Sequence, residues 1–359
     1  MKKTIALFIV LLSGLVYYGS NNPNITETFT SYRTGGPFNV AHRGLGDLYN
    51  MSFLSAYNMP LEYNLRKVES KEKEIRLFLF CDSYLISHVE KEHFYGTDSL
   101  IKIKWWDNAS YQKIEKLDAS KKNILLIELA ERFVRDACAD IGLMTAPLTF
   151  SSDLEQEKAT DDTPDKKEEE NKFLNDHFFN PNINSNLELN LFSYKIFNPI
   201  KEIKSDINYK FFHRTNKDVY VDEQHHFLYY KPTVSGDHKT NAFFPMDSSE
   251  FQRIVTTLNK TREHYKNHGF DEVYFSFVPN PVSVVNPGIG AYNQLMPLLS
   301  NVDSALFKKI DVYTLFKSNP KKYYAPNDTH WNSRGLQTWL DETNTELKSI
   351  LKKNPDKSL

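Results

Sequence analysis

Two distant parts of the sequence carry residue types that can do chemistry together. Asp328 and His330 are two positions apart in the segment 323–332, which reads YYAPNDTHWN. In an extended segment both side chains leave the backbone on the same side, so the carboxylate can hold and polarise the imidazole. Such a histidine acts on a nucleophile, and Ser83, which follows the apolar residues 78–81 and Asp82, is the candidate. The pattern predicts a serine hydrolase or acyltransferase.

Ser83 is expected just after a buried strand. Residues 75–80 form a short apolar run behind the charged stretch 67–74, which favours a parallel strand over a helix. Open α/β sheets bind ligands at the carboxyl edge of their strands, so Ser83 would be accessible to His330 there. The backbone N–H groups that follow could then face a developing oxyanion. The alternative is that Asp82 and Ser83 form a simple turn.

A second predicted strand, 123–127, brings charged residues to the same edge. It follows a segment that we expect to be helical, 111–118, and it leads into Glu131 and Arg132. These two side chains can bind substrate or stabilise negative charge. They can equally form the solvated first turn of a helix, where acidic residues are favoured.

The C-terminal half predicts a helix and a strand that continue the sheet. Asp247, with Glu250 three residues later, has the pattern of a helix start, and Gly269 has that of its end. A strand at 272–278 follows at once, so the helix would pack on the sheet. After this strand, Asn280 can donate to an oxyanion from its side-chain amide, or it can be a turn residue between two prolines.

The last predicted elements complete an α/β fold. A strand at 310–316 leads to the loop that contains the candidate histidine, and Asn332 or Ser333 caps the final helix. Together, the elements predict a three-layer α/β/α sandwich with a mainly parallel central sheet and inserted helical and hairpin segments.

Other histidines give no second chemical site. Residues 218–230 predict a hairpin that contains His225 and His226, and no further metal ligands lie at workable spacing. His42 is expected to be a loop residue rather than a second active-site group. We therefore predict no metal site.

The segment 173–212 predicts helices that cover the sheet.

The chain is expected to have three parts. Residues 1–20 would be a signal peptide or membrane anchor, 21–70 an N-terminal extension, and 71–359 the main domain. Within the main domain, the segment 151–172 has almost no apolar residues, so we expect a disordered insertion there.

The N-terminal segment points to export. Lys2 and Lys3 precede an apolar run at 5–18 that is short for a full transmembrane helix. No small-residue cleavage site is evident, and lysines kept inside would follow the positive-inside preference. We expect a periplasmic or cell-envelope protein tethered by this segment, with a cleaved signal peptide as the alternative.

Composition excludes some classes of function. The 359 residues are 40% hydrophobic, which is enough for one large or two smaller domains, and the formal net charge is −2. No overall field attracts nucleic acid, so we predict no nucleic-acid partner. Cys81 and Cys138 are too far apart to define a disulfide framework, and we expect two buried free thiols.

The sequence resembles the SGNH hydrolase superfamily over about residues 75–352. The resemblance rests on the pair 82–83 after the first strand and on the loop 328–332, DTHWN, before the last helix. The Asp-x-His-Trp loop with tyrosines upstream, together with Glu131 and Arg132 after a central strand, is most similar to the SGNH-like acetyltransferases related to the alginate O-acetylation proteins.

The resemblance implies an SGNH- or flavodoxin-like sheet and a set of roles. Ser83 would be the nucleophile, His330 the general base and Asp328 the acid that orients it. Further candidates for oxyanion or substrate binding are Tyr84, Glu131, Arg132, Asn280 and Trp331. Two features depart from the superfamily: Cys81 stands where a glycine usually precedes the Asp-Ser pair, and the central strand lacks a Gly-x-Asn-Asp block. A third departs from the alginate proteins, in which the nucleophile follows the Asp-x-His element; here it precedes that element, as in ordinary SGNH enzymes.

The function that the resemblance implies is O-acetylation of a cell-surface or exported polysaccharide. A membrane-bound acyltransferase would supply the acyl group, because the sequence has no CoA-binding signal, and we predict no cofactor. An esterase that uses the same triad is one alternative. A catalytically silent protein that binds carbohydrate or aids assembly is another.

Overall fold

The chain folds as an α/β protein with a mainly parallel central sheet and flanking helices. The computed structural model describes residues 2–22, 44–114, 116–150, 183–192 and 194–352. The chain divides into two compact units. The first unit comprises residues 1–45, 52–58 and 157–215, and the second comprises 46–51, 59–156 and 216–359.

Nine strands lie within the described residues. They are β1 (Ile75–Cys81), β2 (Thr97–Lys104), β3 (Gln112–Ile114), β4 (Lys122–Ala130), β5 (Leu148–Phe150), β6 (Val219–Asp222), β7 (Phe227–Tyr230), β8 (Glu272–Val278) and β9 (Lys308–Ile310). The central sheet has the order β2-β1-β4-β8-β9, and all its neighbours are parallel. This arrangement is compatible with a three-layer sandwich.

The helices of the described residues flank this sheet or belong to the first unit. They are α1 (Lys2–Asn21), α2 (Asp47–Ser52), α3 (Glu131–Ala137), α4 (Ile141–Thr145), α5 (Ile183–Phe192), α6 (Asn198–Phe212), α7 (Ser248–Asn267), α8 (Pro281–Val285), α9 (Leu295–Ser300), α10 (Tyr313–Ser318), α11 (Pro320–Tyr323) and α12 (Ser333–Lys352).

The central strands form where the sequence is continuously apolar. Almost every residue of β1, β4 and β8 is buried, as expected for parallel strands covered on both faces. The strand predicted at 123–127 is longer than expected, because β4 runs on to Ala130. Glu128 therefore lies inside a strand, where it is fully buried.

Two secondary-structure predictions are wrong. The segment 111–118 is not a helix, because β3 pairs there with β5 in a separate two-stranded parallel sheet. The segment 310–316 is not a strand: β9 ends at Ile310, and α10 begins three residues later. Strand β2 is a further element of the sheet that the predicted elements do not include; it lies at the edge, and most of its side chains are only partly buried.

The predicted helix ends are largely confirmed. Asp247 caps α7 by accepting a hydrogen bond from the N–H of Glu250 at 2.7 Å. The Glu250 carboxylate does not return the bond, because it pairs with Arg135 at 2.6 Å. Asn332 caps α12 through its Oδ1, which accepts from the N–H groups of Arg334 and Gly335.

The remaining predictions have mixed outcomes. The hairpin at 218–230 is confirmed as the antiparallel pair β6 and β7, and both cysteines are buried free thiols. The helices α5 and α6 exist, but they belong to the first unit, which does not contain the sheet that they were expected to cover. His42 and the predicted insertion at 151–172 lie outside the described residues.

Candidate active site

Ser83 and His330 meet at the carboxyl edge of the central sheet. Ser83 is exposed two residues after the end of β1, and its Oγ lies 2.8 Å from Nε2 of His330. His330 is in the loop between α11 and α12. The hydroxyl and imidazole are thus within hydrogen-bond distance although 247 residues separate them.

Asp328 fixes the other side of the imidazole. Its Oδ1 lies 2.6 Å from Nδ1 of His330 and also accepts from the backbone N–H of His330 at 2.8 Å. With its proton on Nδ1, the ring leaves Nε2 free to accept the proton of Ser83. Burial acts to raise the pKa of Asp328, but the bonds to His330 outweigh it and hold that pKa below its usual value.

Asp47 is a second carboxylate at the histidine, and sequence reasoning missed it. Its backbone N–H donates to Oδ2 of Asp328 at 2.8 Å, and its side chain accepts from the N–H and hydroxyl of Thr329. Burial and the charge of Asp328 raise the pKa of Asp47. Its Oδ2 lies 3.8 Å from Nδ1 of His330. Asp47 thus ties α2 to the loop that carries the histidine.

Close backbone contact explains why a glycine precedes Asp47. A Cβ on Gly46 would lie 2.1 Å from the carbonyl oxygen of Asn327, so only glycine lets the two segments approach this closely. The N–H of Tyr49 then donates to that same carbonyl at 3.0 Å. This contact between Gly46 and Asn327 brings Asp47 to the site, and it cannot be recognised without the fold.

Tyr84 and Trp331 support the histidine from below. Both side chains are fully buried. The Tyr84 hydroxyl donates to the carbonyl of Thr329 at 2.6 Å, and its ring packs edge-on against His330 at 4.6 Å. The Trp331 indole donates to the carbonyl of Tyr84 at 3.3 Å.

A buried pair of carboxyls lies beneath Ser83. The N–H of Asp82 donates to Oε2 of Glu128 at 3.0 Å, across the neighbouring strands β1 and β4. Within the described chain, Oδ2 of Asp82 and Oε1 of Glu128 are buried without a hydrogen-bond partner. Burial, followed by the charge of Asp82, raises the pKa of Glu128 well above its usual value, which favours its protonated form. The sequence signal for Glu128 is its place as a charged residue inside an apolar run.

Few backbone donors near Ser83 are open to an oxyanion. The N–H of Asp82 is bound to Glu128, and that of Tyr84 is bound to Oδ1 of Asp82 at 2.8 Å. The N–H of Ser83 has no acceptor among the described residues. Of the N–H groups of Asp82, Ser83 and Tyr84, only that of Ser83 is therefore open to an oxyanion.

Arg132 is a buried cation beside this site. Its residue is 7% exposed, and its guanidinium lies over the rings of Tyr84 at 5.3 Å and Phe133 at 4.8 Å. No carboxylate of the described residues forms an ion pair with it. Burial acts to lower the pKa of Arg132, but the Tyr84 hydroxyl and the charges of Asp82 and Asp47 outweigh burial and raise that pKa above its usual value. Arg132 is therefore charged, as a group that stabilises an anion must be.

Glu131 and Asn280 join the ends of two neighbouring strands. Glu131 begins α3, as the helix-start alternative has it, but it is buried rather than solvated, and it accepts from the N–H of Asn280 and the hydroxyl of Tyr292, both at 2.8 Å. Burial raises the pKa of Glu131 to about 7. The side-chain amide of Asn280 is buried, with no hydrogen-bond partner in the part of the chain that the structure describes.

The carboxylates beside His330 also have the residue types of metal ligands. Among the described residues, Asp47, Asp328 and His330 place three potential ligand atoms within 4.8 Å of one another. Two of these residues already bond to each other at 2.6 Å, through Oδ1 of Asp328 and Nδ1 of His330. A cation would have to replace that bond, so the arrangement favours a hydrogen-bonded relay.

Comparison with known protein families, with curated proteins and with solved structures found no match for this chain. The function is therefore inferred from the geometry of the site.

Proposed function

We propose that the protein is a serine-dependent O-acyltransferase that acetylates an exported or cell-surface polysaccharide. The observation that carries the proposal is the chain of contacts from Ser83 through His330 to Asp328, at 2.8 Å and 2.6 Å. These distances lie within the range for a hydroxyl activated by a base and a base held by a third group. The same order of groups supports acyl transfer on unrelated folds.

In the first half of the proposed reaction, the acyl group moves to the enzyme. His330 Nε2 takes the proton of Ser83 Oγ as the oxygen attacks the carbonyl carbon of an acyl ester. The tetrahedral oxyanion faces the N–H of Ser83 and the charge of Arg132. Its collapse expels the donor alcohol, which receives the proton from His330, and leaves an ester on Ser83.

In the second half, an acceptor hydroxyl repeats these steps. His330 removes the proton of the acceptor as it attacks the acyl-enzyme, and Ser83 leaves with that proton. Asp328 stays ionised throughout and stabilises the imidazolium that forms in each half. If water is the acceptor, the same site is an esterase.

An exposed tryptophan favours a sugar acceptor over water. Trp106 follows β2 at the same sheet edge and is 50% exposed, although its neighbour Trp105 is buried. It packs on Phe133 at 4.5 Å, and its φ of 56° is unusual for a bulky side chain. We propose that its free face stacks on a sugar ring and that the exposed Ser83 admits a polymer.

The proposed setting is outside the cytoplasmic membrane. Helix α1 contains a segment, Thr4–Asn21, that is long and apolar enough to cross a bilayer, and either a signal peptide or an anchor has this property. A partner membrane protein would deliver the acyl group to Ser83. The parallel sheet, with Ser83 after β1 and the Asp-x-His loop before α12, also supports an SGNH-like fold.

Labelling with a fluorophosphonate probe tests whether the site is catalytic. Wild-type protein should become labelled on Ser83, and both Ser83→Ala and His330→Ala should not. Folded wild-type protein that stays unlabelled would favour the silent alternative, in which the chain binds carbohydrate or aids assembly.

A second experiment separates the transferase from the esterase. A chromogenic acetyl ester is incubated with and without oligosaccharide, and products are analysed by mass spectrometry. The proposal predicts acetylated oligosaccharide, with Trp106→Ala losing transfer while release of the chromophore in water is unchanged. Release that ignores the oligosaccharide, with no acetylated sugar, would favour an esterase.

A further inference from the structure

Helix α6 carries an apolar stripe that is exposed to solvent. Its residues recur at intervals of three and four, which places them on one helical face. They are Ile196 just before the helix, then Ile200, Ile203, Ile207 and Phe211. Their side chains are between 47% and 75% exposed. A helix of a soluble protein normally buries such a face, so this stripe needs an occupant.

Contacts on another face hold α6 in this orientation. The Asp206 carboxylate accepts from the N–H and hydroxyl of Ser55, and that of Glu202 accepts from the side-chain amide of Asn58 at 2.7 Å. These residues all belong to the first unit. The acidic side chains of α6 are thereby engaged with the chain itself.

The exposed charge beside the stripe is positive. Lys204 and Lys210 are exposed on α6 and lie within about one residue's rotation of the apolar row. The combination of an apolar face with lysines at its border is typical of helices that lie in the plane of a membrane surface. It suits a surface that offers acyl chains and anionic headgroups together.

The neighbouring helices place this surface near a candidate membrane span. The 18-residue segment Thr4–Asn21 of α1 has a mean hydropathy of 1.6. At its carboxyl end, the carbonyl of Ser20 accepts from the side-chain amide of Asn186 on α5 at 2.7 Å. Helix α5 ends at Phe192, which is itself half exposed, and α6 begins six residues later at Asn198. The apolar stripe thus follows directly from the helix that contacts the end of α1.

We propose that the stripe of α6 lies on the lipid bilayer, on the side where the carboxyl end of α1 leaves it. The inference depends on α1 entering the bilayer and does not depend on acyl transfer. Two contacts, a span and a surface helix, would hold the first unit against the membrane more firmly than the span alone.

Lipid quenching at a single label tests this surface in the full chain. Cys81 and Cys138 are fully buried, so a cysteine introduced by Ile203→Cys takes a bimane label selectively. The labelled protein is placed in nanodiscs of phosphatidylcholine and phosphatidylglycerol, with or without bromine on the acyl chains. Brominated lipid should quench the label on position 203 strongly.

A matched label on the second unit supplies the control. Leu143 is 49% exposed on the short helix α4, so Leu143→Cys labels a comparably exposed apolar position. We expect quenching at position 203 to exceed that at position 143 by at least about threefold. Equal quenching at both positions, or protein that does not associate with the nanodiscs, would overturn the proposal. So would shielding of position 203 that depends on protein concentration without lipid quenching, which would assign the stripe to a second copy of the chain.

Discussion

Two groups of buried carboxyls flank Ser83, and they are built in opposite ways. On the histidine side, Asp328 accepts three hydrogen bonds, from the N–H and ring of His330 and from the N–H of Asp47. On the strand side, the Glu128 carboxyl accepts one, from the N–H of Asp82, and its other oxygen has no partner among the described residues.

The comparison teaches that donors, and not burial alone, set the charge of these groups. Both carboxyls are almost inaccessible to solvent. Burial acts to raise both pKa values, yet that of Asp328 is lowered by its bonds to His330 whereas that of Glu128 is raised. The donors on the histidine side therefore favour the ionised form of Asp328, whereas burial on the strand side favours the protonated form of Glu128.

The largest expected effect comes from neutralising the histidine side. In Asp328→Asn, the amide can donate to Nδ1, so His330 would carry its proton on Nε2 and could not accept one from Ser83. We expect kcat for a chromogenic acetyl ester to fall by about 10³- to 10⁴-fold. Asp47→Asn is the control, because the Asp47 side chain binds Thr329. We expect the fall in kcat for this variant to be far smaller. Equal losses would contradict the assignment of Asp328 as the orienting acid.

The next effect concerns the positive charge on the strand side. Arg132→Met removes the charge with little change in bulk, and we expect kcat to fall by about 10²- to 10³-fold with KM nearly unchanged. Arg132→Lys should recover part of the loss because it restores the charge. If KM rises in Arg132→Met while kcat stays unchanged, Arg132 binds the ground-state substrate instead.

Glu131 is an intermediate case, with several donors but a raised pKa of about 7. The folded protein holds this proton more tightly than the unfolded chain does, so the free energy of unfolding falls as pH rises from about 4.5 to 7. A pKa shift of this size corresponds to a loss of roughly 3 kcal/mol in the free energy of unfolding over this pH range. Glu131→Gln should flatten this part of the curve of urea midpoint against pH. A variant that retains the wild-type slope would show that another group titrates there.

The smallest effect is expected at Glu128, where a carboxyl whose raised pKa favours its protonated form becomes a neutral amide. Glu128→Gln should change activity at pH 7 by less than about threefold, because the amide oxygen can still accept from Asp82. Glu128→Ala removes that acceptor and should lower the free energy of unfolding by about 1–3 kcal/mol in urea titrations. A large loss of activity in Glu128→Gln, with stability intact, would mean that this carboxyl acts in its charged form.

The sequence predicted the parts of the site that local pattern controls. The two-residue spacing of Asp328 and His330 and the apolar run before Ser83 are local features, and the structure brings these three residues together. The end of a buried parallel strand also defines one edge of a sheet, which made the meeting place predictable. The roles of these residues in catalysis stay a prediction until activity is measured.

Features that depend on contact between distant segments could not be predicted in this way. Asp47 reaches the site only because Gly46 packs on Asn327, and nothing in its own neighbourhood indicates this. The errors at 111–118 and 310–316 share a cause, since segments this short suit either helix or strand until their partners are known. The burial of Tyr84 and Trp331 is a further example, because sequence does not show which face of the loop is buried.

The most direct measurement is the mass of the peptide that contains Ser83 after brief reaction with an activated acetyl ester and an acid quench. The account predicts one acetyl group on Ser83 in the wild-type protein and none at that position in His330→Ala. A folded wild-type protein that turns over the ester, or acetylates its surface lysines, while Ser83 stays unmodified would contradict it.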